Sequence, residues 1–142
     1  QYKANQIGLY KADALAESLL EIAPYTEIKT VTAKITEENF ADLLKGADVV
    51  CEAFDNAEAK AMLVNGVLEQ LPDCYLVAAS GMAGMDTPNT IRTRKVMKRF
   101  YLCGDEVSDV ANTIGLVAPR VMLCAAHQAH TVLRILAGEY EV

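Results

Sequence analysis

The chain reads as an α/β protein built on a mostly parallel sheet with helices on both faces and antiparallel strands near its C-terminal end. Three observations predict this. Short apolar runs at 48–53 and 74–79 flank a stretch of helical character. An alternating run, 90–94, is followed by a second short apolar run, 100–103. A long apolar helical pattern, about 119–137, closes the chain. With 142 residues and 52% hydrophobic content, one domain spanning 1–142 with its own core is expected.

The elements follow in order. Ala12, Leu15, Ala16, Leu19 and Ile22 recur at helical spacing after Gly8, and Pro24 ends the run. Ile28, Thr30 and Thr32 alternate with Lys29, Val31 and Ala33, which predicts a strand. Thr36 is placed to cap a short helix with Glu37 and Glu38 in its first turn, and Gly46 closes it. Asp48 to Ala53 is a buried strand, and Asn56 caps a helix over 57–70. Cys74 to Ala79 is a second buried strand that stops at Ser80-Gly81-Met82-Ala83-Gly84. Thr90 to Arg94 suggests an edge strand with one polar face, and Phe100 to Cys103 a further strand. The Asp-, Ser- and Asn-rich segment 104–115 is a loop, and Gly138 stops the last helix. The first helix has no strand before it and the chain starts at Gln1 without an initiator Met, so we read it as a fragment.

Composition narrows the classes of function. The net charge of -6 argues against a nucleic-acid or anionic-membrane surface, the cluster Arg92, Arg94, Lys95, Lys98, Arg99 being the local exception. No run approaches the ~20 uncharged residues of a membrane span. Cys51, Cys74, Cys103 and Cys124 are scattered, mostly in apolar runs, the usage of a reducing compartment such as the cytoplasm. No C-x-x-C pair exists, so no zinc site built from cysteines is expected.

In open α/β sheets ligands bind beyond the carboxyl ends of the strands, here Phe54-Asp55-Asn56 and Ser80 to Gly84. Asp55 has two readings: a contact to Mg²⁺ or to a ribose-phosphate, or half of an Asp-Asn capping pair. Spacing alone favours the cap. Lys11 at the start of the first helix is either a phosphate contact or a solvated lysine, and alone the solvated reading is simpler. His127 and His130 share a helix face, but two ligands are too few for zinc, which leaves packed or hydrogen-bonded histidines. Arg120 and Arg134 suit salt bridges or partner contacts better than catalysis. Cys103 has no basic neighbour in sequence to activate it and reads as an inert thiol.

Taken together, Gly8-x-x-Lys11, Asp48 to Asn56, and Gly115-Leu116-Val117-Ala118-Pro119 leading into Gln128-Ala129 and Leu133-x-x-Leu136-Ala137-Gly138 resemble the ThiF/MoeB family, bacterial relatives of ubiquitin-activating enzymes. Ser80 to Gly84 and Ala118-Pro119-Arg120 fit its shorter ThiF-like branch. The resemblance implies a Rossmann-like fold whose N-terminal βαβ portion lies upstream of this chain. It implies ATP-dependent adenylylation, with Mg²⁺, of the C-terminal glycine of a small sulfur carrier, ThiS in the thiamine branch. It assigns Asp55 to Mg²⁺ and ATP, Lys11 to the phosphates and Asn56 to the side of the nucleotide, and it implies a homodimer. The family's glycine-rich phosphate loop, ribose-holding acidic residue and an arginine belong upstream of Gln1, so the 142 residues alone are expected to be inactive. The zinc-binding C-x-x-C pairs of many members have no counterpart here. A sulfur-relay cysteine has none either: Cys103 lies 12 residues before Gly115, and 104–114 holds no cysteine. A member that docks a ubiquitin-like protein or dimerises without chemistry is the alternative. A dehydrogenase fragment would need a hydride-transfer pair that the strand ends do not offer.

Overall fold

The computed structural model describes residues 2–142. The chain divides into two compact units, one ending at Ile35 and one spanning Thr36–Val142. In the first, a short 3₁₀ turn, Ala4–Gln6, precedes helix α1, Lys11–Ile22. Gly8 turns the chain between them at a φ of 97°, a value that favours glycine. Buried Gln6 fastens the turn to α1: its amide donates to the Ala14 carbonyl at 3.0 Å and to the Ser18 hydroxyl at 3.2 Å. The helix ends two residues before Pro24, as its sequence predicts.

One expected strand does not form. Segment 28–33 stays outside the sheet, and Thr30 and Thr32 are both exposed. Alternation makes a strand only where one face is buried and a neighbouring strand takes up the backbone groups. Neither condition is met there.

The second unit is built on a four-stranded sheet in the order β1-β2-β4-β3. The strands are β1, Val49–Cys51; β2, Tyr75–Ala79; β3, Arg92–Met97; and β4, Phe100–Gly104. β1, β2 and β4 run parallel, while β3 pairs antiparallel with β4 at the end of the sheet. The mixed, mainly parallel sheet and the polar edge strand agree with the sequence. Helix α2, Phe40–Leu44, starts later than the acidic run at 37–38 suggests. The Thr36 carbonyl accepts from the Asn39 and Phe40 amides, so Thr36 opens a turn and not the helix itself. Helices α3, Ala57–Gln70, and α4, Ala118–Leu136, complete the unit.

Both faces of the sheet are covered. Consecutive β2 residues Leu76, Val77 and Ala78 are all at most 2% exposed, and successive strand side chains point to opposite faces. Val77 joins Tyr101, Cys103, Cys124 and Ile135 in one core cluster, so α4 packs on that face. α3 contacts β2 as well, and its Gly66 receives the buried Phe40 ring of α2. A Cβ at Gly66 would stand 2.4 Å from the Phe40 Cζ.

α4 ends in a Schellman motif: Gly138, at a φ of 81°, donates to the Ile135 carbonyl and Glu139 to the Arg134 carbonyl. None of the described helices is long and apolar enough to cross a membrane.

Candidate functional site

Because β1, β2 and β4 are parallel, their carboxyl ends open on the same edge of the sheet. Three segments leave that edge: Glu52 to Asn56, Ser80 to Gly84, and Asp105 to Ile114. Ladder contacts continue one residue past β1 and β2. The Glu52 amide donates to the Val77 carbonyl at 2.9 Å and the Ser80 amide to the Cys103 carbonyl at 2.8 Å.

The β1 end shows what the Asp-Asn pair does in the fold. Asn56 is the N-cap of α3, its side-chain oxygen accepting from the Ala59 amide at 2.8 Å. Asp55 caps nothing. It is exposed, and among the described residues its carboxylate meets only the Asn56 side-chain amide, at 3.4 Å. A carboxylate therefore stands beyond a strand end, two residues ahead of a 14-residue helix, and its one polar contact among the described residues is to the side chain of the capping Asn56. Lys11, in the first unit, is the opening residue of α1 and is exposed.

The same turn carries a charge pair that spacing did not reveal. Glu52 is 1% exposed, and the Lys60 ammonium holds its two oxygens at 3.0 and 3.1 Å. Lys60 also donates to the Ala79 carbonyl at 3.1 Å, tying the β1 end to the β2 end. Gln128 of α4 reaches the same place, its amide donating to the Glu52 carbonyl at 2.9 Å and to the Val77 carbonyl at 3.3 Å. The available signal was a lone carboxylate inside the apolar run Val49-Val50-Cys51-Glu52-Ala53, which needs a buried cation.

The third segment is equally ordered. Asp105 pairs with buried Arg120 at 2.5 Å, and Arg120 also donates to the Thr87 carbonyl at 3.1 Å and the Thr90 hydroxyl at 3.2 Å. Burial alone would raise the Asp105 carboxyl. The Ser108 amide, the Arg120 guanidinium, the Val107 amide and the Ser108 hydroxyl outweigh it and hold the group below the usual carboxylate range. Gly104, at a φ of 136°, brings this segment against β2: a Cβ there would stand 2.0 Å from the Ser80 Oγ. A cavity of about 490 Å³ opens between segments 83–86 and 107–114, with Asp86, Ser108 and Thr113 in its wall. Asp55 does not line it.

Arg120 and Arg134 form ion pairs, with Asp105 and Glu139, as their sequence context suggested. His127 is hydrogen-bonded, its Nδ1 lying 3.0 Å from the Thr93 hydroxyl. Among the described residues no three His, Cys, Asp or Glu side chains gather as a metal site would need. Cys103 is fully buried, and burial pushes its thiol up. Cys124 is pushed up to about 11, by burial first and by nearby Cys103 second.

Comparison with known proteins agrees with this architecture. The chain is 26% identical over 133 residues to the sulfur carrier protein ThiS adenylyltransferase of Bacillus subtilis, covering 91% of this chain and 38% of that protein. It is 25% identical over 137 residues to the molybdopterin-synthase adenylyltransferase of Haemophilus influenzae, covering 92% and 54%. It is 21% identical over 144 residues to the adenylyltransferase and sulfurtransferase UBA4 of Lodderomyces elongisporus, covering 98% and 31%. The chain thus spans about a third to a half of the length of these relatives. In fold it matches the tRNA N6-threonylcarbamoyladenosine dehydratase TcdA of E. coli, solved with AMP, at a TM-score of 0.76 and 18% identity, over 96% of this chain and 68% of that one. The complex of the same protein with ATP superposes equally well, at 0.76 and 17% identity. The ThiF family model matches residues 1–142, and the chain belongs to the ThiF family.

Proposed function

We propose that the full-length protein adenylylates the C-terminal glycine of a small sulfur-carrier protein, using ATP and Mg²⁺. The observation that carries the reading is Asp55: an exposed carboxylate at the end of β1 that has no capping task. The named activities of the bacterial and fungal relatives, all adenylyltransferases, support the reaction class. The TcdA complexes with ATP and AMP support a nucleotide as the ligand of this fold.

In the proposed reaction a carboxylate oxygen of the carrier's terminal glycine attacks the α-phosphorus of ATP. The bond from that phosphorus to the oxygen bridging the α- and β-phosphates breaks. Pyrophosphate leaves, and the carrier carries an acyl-adenylate. No proton transfer is needed, so the protein's work is alignment and neutralisation of charge. Lys11 is proposed to neutralise phosphate charge, Asp55 to orient the nucleotide, and Asn56 to fix the turn beside it. The Asp55 donor fits Mg²⁺, which binds through one or two carboxylates together with substrate phosphates. Bound there, the ion would offset charge on the phosphates.

A ThiS-like carrier and a role in thiamine biosynthesis are the finer reading, supported by the B. subtilis relative. A homodimer, a single domain over 1–142 and a cytoplasmic setting belong to the same proposal. Four free cysteines suit a reducing compartment. The 142 residues alone are proposed to lack turnover, because they contain no glycine-rich phosphate loop.

ATP–pyrophosphate exchange in the full-length protein tests the reading. Exchange that depends on a carrier ending in glycine is expected, and Lys11→Ala should lower it. Exchange absent with every such carrier, although nucleotide binds, would favour the non-catalytic docking module.

A further inference from the structure

We propose that Lys60, acting with Glu52, is a positioning residue that sets the orientation of Asp55 for nucleotide chemistry. The inference rests on the adenylyl-transfer reading above. Lys60 has three N–H donors and uses all three: the two Glu52 oxygens at 3.0 and 3.1 Å and the Ala79 carbonyl at 3.1 Å. Its backbone amide meanwhile donates to the Asn56 carbonyl at 3.1 Å. One residue thus grips both ends of the turn 52–56, by its side chain at Glu52 and by its backbone at Asn56. Glu52 continues the hold, since its Oε1 accepts the Phe54 amide at 2.5 Å, immediately before Asp55.

Stability alone does not explain the pair. The Glu52 side chain is fully buried and that of Lys60 is 20% exposed. Desolvating two such charges offsets most of their attraction, and apolar replacements of similar volume are often neutral or stabilising. What an apolar pair cannot do is accept from the Phe54 amide and donate to the Ala79 carbonyl together. Those two bonds join the Asp55 turn to the neighbouring strand end, and this is where the pair has its use. Neither residue touches the reacting atoms in this account. Both act through Asp55.

The test is steady-state ATP–pyrophosphate exchange in the full-length protein, with melting temperature recorded for each variant. Wild type and Asp55→Ala are run beside Lys60→Arg, Lys60→Met and the double variant Glu52→Gln/Lys60→Met. The double variant removes both charges, so it stays folded where the single Lys60→Met is destabilised by an unpaired buried carboxylate. We expect the double variant to lose about 10- to 100-fold in kcat, the scale of a small misplacement of a reacting group. KM for ATP should stay within about threefold and the melting temperature near wild type. Lys60→Arg, which keeps the cation and its donors, should recover most of the rate.

A double variant with wild-type kcat overturns the proposal. So does a loss that appears only in KM, or one that follows a collapse in melting temperature, because either marks the pair as binding or purely structural. If wild type shows no exchange, or Asp55→Ala retains it, the adenylyl-transfer reading itself fails and takes this inference with it. The wild-type and Asp55→Ala measurements tell that failure from the others.

Discussion

Replacing Arg120 with Met removes the cation that organises the segment after β4. The Arg120 and Asp105 side chains are 5% and 1% exposed, so the change leaves a carboxylate without its counter-charge in the interior. Breaking a buried pair in this way costs about 3–5 kcal/mol. Two features place Arg120→Met toward the lower end. The Asp105 Oδ1 keeps three donors: the Val107 amide at 3.2 Å, the Ser108 amide at 3.1 Å and the Ser108 hydroxyl at 3.0 Å. The Asp86 and Thr87 carbonyls released by the guanidinium belong to exposed residues and can turn to water. Roughly 3 kcal/mol is therefore expected at neutral pH, read as the shift in urea midpoint at constant m. Arg134→Met, which breaks an exposed pair at 4.0 Å and an exposed hydrogen bond to the Glu141 carbonyl at 2.8 Å, is the control and should cost no more than about 1 kcal/mol. A loss below about 1 kcal/mol for Arg120→Met would refute the reasoning. The acid limb gives a second reading. The Asp105 carboxyl in the folded protein lies below its ordinary value, so its contribution is full above about pH 4 and fades as pH falls through the lower folded value. Arg120→Met removes one of the groups that hold it down, so acid unfolding should begin at higher pH in the variant.

Two other outcomes follow from packing. Gly104→Ala meets both a positive φ and the Ser80 Oγ at 2.0 Å, so it should destabilise by about 1–3 kcal/mol, measured by thermal denaturation; a neutral result would contradict the close approach of β2 and β4. The buried thiols of Cys103 and Cys124, both pushed up by burial, should resist iodoacetamide at pH 8 in the native protein and react once urea unfolds it; rapid native labelling at either site, read by mass spectrometry, would contradict their burial.

Legibility differed between elements for physical reasons. β2 and α3 were readable because a buried strand is a continuous apolar run and because Asn56 is a local signal, satisfied by a residue three positions away. The Schellman end at Gly138 was readable for the same reason. Segment 28–33 misled because alternation states only what a strand would look like, whereas a strand exists only when another strand accepts its backbone. The start of α2 slipped because Thr36 spends its carbonyl on a turn ahead of the helix.

In the candidate site, Asp55 and Asn56 were visible as a pair, but sequence could not divide their tasks. The hydrogen bond from Ala59 gives the capping task to Asn56, while Asp55 accepts from the Asn56 side-chain amide. Glu52–Lys60 and Asp105–Arg120 were not visible as pairs. Their partners are 8 and 15 positions apart, and their meeting depends on how α3 and α4 pack on the sheet.

The central claim is that Asp55 serves a nucleotide and not the fold. The direct measurement is ATP–pyrophosphate exchange by full-length Asp55→Ala, with its stability measured in parallel. Because Asp55 caps nothing, stability should stay within about 0.5 kcal/mol of wild type while exchange is abolished. Wild-type exchange in that variant would contradict the account, and so would a loss of exchange that merely tracks unfolding.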